Sequence, residues 1–184
     1  RTNNVLKIAW SGQHTPGKAL NLLLEAISIS TLKDNIELHV IGQGKYTQRW
    51  KRLAKKYRLN NTIWHGWIKR EEAISIMKGC DIFCITSIAD LTSTVLLEAL
   101  SYGLPIIALN HCGFSNVITK DCGIKIDIHS KKQVINDFAQ AIKNIYNNEE
   151  WRIQLAQGAL KRSSDFTWEE KARQINSIYH KILQ

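Results

Sequence analysis

Residues 82–110 organise the chain, and they read IFCITSIADLTSTVLLEALSYGLPIIALN. The first residues, 82–85, are all apolar and predict a buried strand that runs into a polar loop. Apolar residues at helical spacing follow until Gly103, and a second apolar run at 104–109 predicts another strand. The stretch therefore predicts strand, loop, helix and strand in succession, which is the repeating unit of a parallel α/β sheet.

Two carboxylates, Asp90 and Glu98, bracket the predicted N-terminus of this helix. Helical side chains lean back toward the N-terminus, so the carboxylate of Glu98 is expected to point to the end where Asp90 lies. The same end carries unpaired N–H groups and the positive end of the helix dipole. An anionic ligand with hydroxyl groups would fit between the two acids. From this spacing alone, a surface Asp and Glu without a shared ligand remains the alternative.

The same alternation of strand and helix runs through most of the chain. Apolar runs predict further strands, and residues at helical spacing predict helices between them, in the order strand 5–10, helix 17–29, strand 36–41, helix 46–58, strand 62–64, helix 71–78, strand 81–86 and a last strand at 123–126. Strands this apolar need helices on both faces of their sheet. The predicted fold class is therefore α/β, a doubly wound, Rossmann-like parallel sheet of about six strands.

Helices alone are predicted near the end of the chain. Ser130 with Gln133 and Thr167 with Glu170 have the spacing of capping boxes, and apolar residues at helical spacing follow each pair. A further helix is predicted between them at 149–162.

The composition predicts one soluble domain, 1–184. The 184 residues are 44% hydrophobic, which is enough for a core. No apolar stretch approaches the ~18 residues of a membrane span. The chain begins at Arg1 with no signal-like leader before its first strand, which suggests a fragment or a processed chain.

The net charge of +9 implies attraction to an acidic partner: nucleic acid, anionic lipid headgroups or phosphorylated small molecules. Much of this charge lies at 51–58, on a predicted helix whose apolar positions fall on the opposite side. A solvated face is favoured there over a binding patch. Nucleic acid is disfavoured because the sequence has no aromatic-basic motif and no recognised nucleic-acid module.

The cysteines and histidines do not predict a metal or a nucleophile. The spacings of Cys80, Cys84, Cys112 and Cys122 match no common zinc template, and reduced thiols suit a cytoplasmic protein. Loop histidines such as His14 more often form hydrogen bonds than act as catalysts. A pairing of Cys112 with its neighbour is disfavoured because adjacent residues in a strand-end loop rarely face one another.

Loops that follow the predicted strands share one edge of the sheet, where ligands of such folds bind. They are 11–18, 42–45, 66–70, 87–93 and 110–115. In the first loop, a glycine amide, a helix N-terminus and Lys18 could converge on phosphate, although neither a Walker loop nor a three-glycine dinucleotide fingerprint is present. Trp67 beside Gly66 suits a flat base, with an ordinary strand-to-helix turn as the alternative.

Three segments resemble the retaining, nucleotide-sugar-dependent glycosyltransferases of family 4 (glycosyl transferases group 1), which have the GT-B fold. Residues 11–26 are similar to the family's Gly-Arg-Leu…Lys-Gly…Leu-Leu-x-Ala segment, and residues 98–108 to its Glu-Ala…Gly-x-Pro-Val-Ile/Val-Ala segment. Residues 166–168 with 179–183 resemble its final helix. The likeness covers essentially the whole chain and only the C-terminal, donor-binding half of such an enzyme, so it implies an absent N-terminal acceptor domain.

The resemblance implies a role for each matching residue. Lys18 would neutralise the donor diphosphate, and Gly12 would let the backbone approach it. Glu98 would accept hydrogen bonds from the ribose hydroxyls. Asp90 would hold the transferred sugar near its reacting carbon. The catalytic set is therefore Asp90, Glu98 and Lys18.

Further donor contacts are implied at two places. Trp67 and Ile68 belong to the part that frames the nucleobase. The segment Thr92-Ser93-Thr94 falls where backbone N–H groups at the helix start would hold phosphate.

Three departures from the family pattern concern the same site. Gln13 replaces the family's phosphate-binding arginine, and a glutamine donates hydrogen bonds but cannot neutralise charge. Asp90 replaces a glutamate and is one methylene shorter. The segment 91–93 replaces Gly-Phe-Gly, and the loss of two glycines restricts close backbone approach.

The resemblance implies a UDP- or GDP-sugar donor, no metal and no other cofactor. In the full-length protein, the sugar would pass to an acceptor hydroxyl with retention of anomeric configuration, and the isolated domain would bind rather than transfer. The acceptor would be a glycan or a lipid-linked molecule, nucleic acid would not be a partner, and the protein would be cytoplasmic with peripheral contact at the inner membrane face. The alternative is a non-catalytic nucleotide-binding or assembly domain on the same scaffold.

Overall fold

A computed structural model describes residues 4–90 and 93–183. Within these ranges the chain forms a parallel sheet in the order β3-β2-β1-β4-β5-β6. The strands are β1 (Leu6–Ser11), β2 (Ile36–Ile41), β3 (Thr62–Gly66), β4 (Ile82–Ile85), β5 (Ile106–Leu109) and β6 (Gly123–Ile126). The direction in which strands are added reverses between β1 and β4. That reversal is the switch point at which doubly wound sheets open a ligand crevice.

Helices cover both faces of the sheet, as the apolar strands require. They are α1 (Leu20–Ile29), α2 (Thr47–Lys56), α3 (Arg70–Lys78), α4 (Thr94–Ser101), α5 (Cys112–Val117), α6 (Lys131–Asn147), α7 (Glu149–Ser163) and α8 (Trp168–Ile182). One core, which contains Trp10, Leu38 and Phe138, lies under α1, α2 and α6. The second core contains Phe83 and Phe114 and lies under α3, α4, α5 and α7. The predicted fold class is confirmed.

The first helix begins later than the sequence predicts. Pro16–Lys18 forms a 3-10 turn, and Ala19 adopts the left-handed region with φ 47°, so an α-helix cannot run through it. The buried Thr86 hydroxyl donates to the Lys18 carbonyl oxygen at 2.8 Å and accepts from Trp10 Nε1 at 3.0 Å. This tertiary contact holds the turn, which the local pattern cannot show.

The two predicted capping boxes differ. At the start of α6, the Ser130 hydroxyl accepts from the Gln133 amide, and the Gln133 side chain accepts from the Ser130 amide, so the box is complete. At the start of α8, Thr167 accepts from the Glu170 amide at 3.2 Å. The Glu170 carboxylate instead pairs with Arg173 and Gln174, so this cap is formed from one side only.

The described residues hold neither a cluster of metal ligands nor a disulfide. No group of three metal-ligating side chains converges within residues 4–90 and 93–183. The four cysteines are free thiols, and Cys84 and Cys122 are buried. None of the helices in those ranges has the length and apolarity that crossing a bilayer would need.

Candidate functional site

The loops after β1, β2 and β3 meet at the carboxyl edge of the sheet. The Gly12 amide donates to the Ile41 carbonyl oxygen at 3.1 Å, and the Gly42 amide donates to the Gly66 carbonyl oxygen at 2.8 Å. Gly42 has φ 111°, and a Cβ on it would lie 2.2 Å from the Gly12 carbonyl oxygen. This position therefore accepts only glycine, because both its backbone conformation and the neighbouring loop exclude a side chain.

A cavity of about 210 Å³ opens between these loops. Four of the residues predicted from the sequence to bind the donor line it: Gly12, Gln13, Trp67 and Ile68. The Trp67 side chain is 78% exposed and presents a flat apolar surface at the rim. Gln13 and Trp67 are 54 residues apart in the sequence. The structure brings the loops that contain them together at one cavity.

Lys18 and Asp90 are in direct contact. The Lys18 ammonium donates to the Asp90 carboxylate, and both side chains are largely withdrawn from solvent. The sequence places these residues 72 positions apart, and the structure joins them across the switch point between β1 and β4. A cation and a carboxylate are therefore available side by side, and each neutralises the other in the absence of a charged ligand.

Glu98 forms an ion pair with Arg70, with 2.7 Å between Arg70 Nη1 and Glu98 Oε1. Arg70 is the first residue of α3, directly after the segment that contains Trp67 and Ile68. No role was predicted for Arg70 from the sequence, although its position at the end of a loop at this sheet edge was a usable signal. Burial and the negative charge of Glu98 raise the pKa of Tyr102 beside this pair.

The start of α4 faces the same region. Ser93 precedes the helix with φ −140°, and no described side chain caps the helix N-terminus there. Its first N–H groups, in the turn that begins with Ser93 and Thr94, are thus available to an anion. Thr92, which was assigned the same role from the sequence, lies outside the described residues, as does Leu91.

His14 connects two loops of this sheet edge through hydrogen bonds. Its amide donates to the Gln43 carbonyl oxygen at 3.1 Å, its carbonyl oxygen accepts from the Tyr46 amide at 3.1 Å, and its Nδ1 lies 2.8 Å from Thr47 Oγ1. The ring is buried against tryptophans, and this burial, with the nearby positive charge of Lys51, lowers the pKa of His14 to about 4. His14 is therefore a neutral residue that positions the loops.

The expectation that His111 and Cys112 would face apart is wrong. Cys112 adopts φ 50°, which turns its side chain back, and His111 Nδ1 lies 3.0 Å from Cys112 Sγ. His111 Nε2 lies 2.6 Å from the Ser87 carbonyl oxygen, so it donates there and leaves Nδ1 to accept from the thiol. The expectation failed because it assumed ordinary backbone angles, whereas Cys112 adopts a left-handed conformation that is rare for cysteine.

The fold and this edge together define a Rossmann-like domain with a ligand crevice at its switch point. Residues 3–162 match the family model described as Glycosyl transferases group 1. Since this match covers most of the chain, the chain belongs to that family.

The chain is also similar to individual proteins in sequence and in fold. An uncharacterized glycosyltransferase of Methanocaldococcus jannaschii is 24% identical over 172 residues, which cover 93% of this chain and 47% of that protein. The catalytic domain of the cholesterol-α-glucosyltransferase from Helicobacter pylori superposes with a TM-score of 0.78 at 21% identity, over 88% of this chain and 99% of that chain. The pneumococcal O-GlcNAc transferase, solved in complex with UDP and GlcNAc, gives a TM-score of 0.82 at 14% identity, over 97% of this chain and 36% of that chain.

These structural likenesses show the fold, a Rossmann-like domain of the kind that GT-B glycosyltransferases contain. This chain spans about half the length of the relatives that it matches in sequence.

Proposed function

We propose that this domain binds a nucleoside-diphosphate sugar and, in a longer protein, transfers the sugar to an acceptor hydroxyl with retention of anomeric configuration. The observation that carries the proposal is the convergence of the cavity at Gly12 and Trp67, the Lys18–Asp90 pair and the start of α4 on one sheet edge. The family membership and the UDP in the pneumococcal relative's crystal structure support a UDP- or GDP-sugar as the donor.

Each part of this edge has a place in the proposed complex. The nucleobase lies against Trp67 and Ile68, and Glu98 accepts hydrogen bonds from the ribose hydroxyls. The diphosphate lies near Gly12, Gln13 and Lys18. Backbone N–H groups at Ser93 and Thr94, together with Thr92 of the undescribed segment, hold its oxygens. Asp90 contacts the sugar.

In the proposed reaction, the acceptor oxygen bonds to the anomeric carbon on the face from which the diphosphate departs. The bond from that carbon to the diphosphate oxygen breaks, and the acceptor proton passes to the departing diphosphate. Lys18 and the start of α4 stabilise the negative charge that develops there, a contribution of about 3 kcal/mol for a well-placed donor. Asp90 fixes the sugar hydroxyls.

The wider setting is also part of the proposal. Residues 1–184 act as a single donor domain, and the acceptor, a glycan or a lipid-linked molecule, is held by an N-terminal domain of the longer protein. We place that protein in the cytoplasm, at the inner membrane face.

Titration calorimetry of this chain with UDP, GDP and other nucleoside diphosphates tests donor binding. Replacing Lys18 with alanine should weaken the best ligand about 10- to 100-fold, because a charge-assisted contact is lost and Asp90 is left uncompensated. Lys143→Ala, which removes an exposed charge from α6, should leave the affinity unchanged. Absence of binding by every nucleotide, or equal affinity of the Lys18→Ala variant, would remove the donor site.

A non-catalytic nucleotide-binding or assembly domain is the second candidate function. Gln13 and the altered segment 91–93 favour it, because they remove a positive charge and two glycines from the family pattern. Transfer from a labelled nucleotide-sugar panel by the full-length protein separates the two candidates. If the domain is catalytic, Asp90→Asn should retain nucleotide binding, since Lys18 is then free for the diphosphate, yet lose at least about 100-fold in turnover.

The matched variant Glu98→Gln should instead weaken nucleotide binding. Turnover that is unchanged in both variants would contradict a catalytic role for the two acids, and an inactive wild-type protein that still binds nucleotide would support the assembly domain.

A further inference from the structure

A concave basic cleft of about 590 Å³ lies between α1, α2 and the start of α6. Arg49, Arg52 and Lys56 line it from α2, and Lys131 lines it from α6. All four side chains belong to exposed residues. The helix pattern alone favoured a solvated face for the cations at 51–58 over a binding patch. The structure places two of these cations, Arg52 and Lys56, together with Arg49 along the wall of a cleft.

The positive charge of this cleft is largely uncompensated. Glu25 is the one carboxylate among the described residues that line it, and it already pairs with Lys131 at 2.8 Å. The Arg49 guanidinium lies over the Tyr46 ring at 5.5 Å, and Arg52 Nε donates to a backbone carbonyl oxygen of its own helix at 3.4 Å. Neither contact neutralises charge. In the described ranges, no carboxylate forms an ion pair with Arg49, Arg52 or Lys56.

The arrangement of the cations indicates what they bind. Arg49, Arg52 and Lys56 follow one another at spacings of three and four residues, so they form a stripe about 10 Å long on one side of the helix. A site for one phosphate would converge on a point, whereas this stripe suits several phosphates in a row. The neighbouring exposed cations Lys55 and Lys132 extend the positive field.

A nucleic-acid strand and an anionic lipid surface both present such rows of phosphates. Binding of single strands relies on aromatic rings on which bases stack. Within the described lining of the cleft, Trp50 is 2% exposed and the Tyr46 ring is covered by Arg49. The cleft therefore offers phosphate contacts without a stacking surface, which favours lipid headgroups.

We propose that this cleft binds the phosphate headgroups of an anionic phospholipid membrane. Pro16 and Tyr46 line it, and they belong to the segments around His14 that also shape the candidate donor site. Docking through the cleft would thus hold the sheet edge that carries the donor site beside the membrane surface. The proposal does not depend on the identity of the donor.

The test is partition of the chain onto phosphatidylcholine vesicles with and without about one quarter phosphatidylglycerol. The wild-type chain should bind only the anionic vesicles. Each cation near such a surface contributes about fivefold, so the combined variant Arg49→Gln, Arg52→Gln, Lys56→Gln should bind about 100-fold more weakly. The control variant Lys120→Gln, Lys143→Gln, Lys161→Gln loses the same charge from exposed positions outside the cleft and should bind within about threefold of wild type.

Three results would overturn the proposal. The wild-type chain could fail to bind anionic vesicles, or the control variant could lose as much binding as the cleft variant, which would show an effect of net charge alone. A single-stranded oligonucleotide could also displace the vesicles at physiological salt, which would identify nucleic acid as the occupant. Titration of the cleft variant with UDP reports separately on the donor site, and the single variants Arg49→Gln and Lys56→Gln, each about fivefold weaker, serve if the combined variant does not fold.

Discussion

Arg70 illustrates how one residue can act on the candidate site through a neighbour. Its pair with Glu98 is solvent-exposed, because 69% of the Arg70 side chain is accessible, so it adds little to folding stability. Its effect should instead be on where the Glu98 carboxylate points. If Glu98 binds the ribose hydroxyls, loss of the Arg70 contact leaves its carboxylate less restrained, and it then binds those hydroxyls less well.

We therefore expect Arg70→Gln to weaken binding of a ribonucleoside diphosphate about 3- to 10-fold, with less than about 1 kcal/mol lost in stability. Binding of the 2′,3′-dideoxy analogue should change little, because it lacks the hydroxyls that Glu98 would contact. Titration of both nucleotides measures this difference. Arg173→Gln is the matched control, since Arg173 is an exposed partner of Glu170 in α8. Equal losses for both nucleotides would argue against positioning of Glu98.

His14 should make the stability of the domain depend on pH. Burial lowers the pKa of His14 from 6.5 to about 4, so the unfolded chain takes up a proton at a higher pH than the folded chain does. As pH falls from about 6.5 to about 4, the free energy of unfolding should therefore decrease, by about 3 kcal/mol at most, and this component should then level off.

Urea unfolding at several pH values measures that dependence. His14→Asn keeps a polar side chain near Thr47 and cannot titrate, so its curve should be flatter than that of the wild type between pH 4 and 6.5. His129→Asn, a change at an exposed loop histidine, should retain the wild-type slope. Parallel curves for wild type and His14→Asn would contradict the assignment of a buried neutral His14.

At the scale of elements, α6 shows a helix whose start is encoded locally. Its capping box satisfies two backbone N–H groups at the helix start, and its apolar face, with Phe138 and Ile142, is fully buried. Ser130→Ala should therefore cost about 1 kcal/mol, which lowers the thermal midpoint of a domain of this size by about 2–4 °C. Thermal unfolding followed by circular dichroism measures this shift.

Ser177→Ala is the control for that experiment. The Ser177 hydroxyl donates to a carbonyl oxygen in the middle of α8, where serine gives no cap, so its removal should leave the midpoint within about 1 °C. A midpoint that falls equally in both variants would mean that the Ser130 cap adds nothing specific. The start of α1 behaves differently, because a turn held by Thr86 replaces the first residues of the predicted helix.

At the scale of the whole molecule, the reversal of strand order between β1 and β4 brings distant loops to one edge. The chain buries both faces of its sheet, yet α8 buries none of its described side chains, and Ile178 and Ile182 on it are exposed. The sheet is thus covered on both faces, while the last helix carries apolar residues that stay exposed among the described residues.

Much of the architecture was predictable because it depends on short-range regularities. Apolar runs identified all the strands, and helical spacing identified the helices of both layers other than α5, because burial on a sheet imposes these periods on the sequence itself. The short helix α5, Cys112–Val117, was missed because its first residues were assigned to a strand-end loop. The predicted start of α1 was wrong because a distant residue, Thr86, donates to the Lys18 carbonyl oxygen and holds a 3-10 turn there. The pairing of His111 with Cys112 failed because it depends on one unusual backbone angle.

The sequence by itself determined that this chain is a doubly wound α/β domain and that it resembles the glycosyltransferases to which it belongs. Only the tertiary structure decided that Lys18 contacts Asp90, that Arg70 holds Glu98, and that cations of α2 face a cleft. Secondary structure follows from neighbours a few residues apart, whereas these contacts join residues from separate elements. Their partners are selected by how the strands are ordered and the helices packed, which no local pattern records.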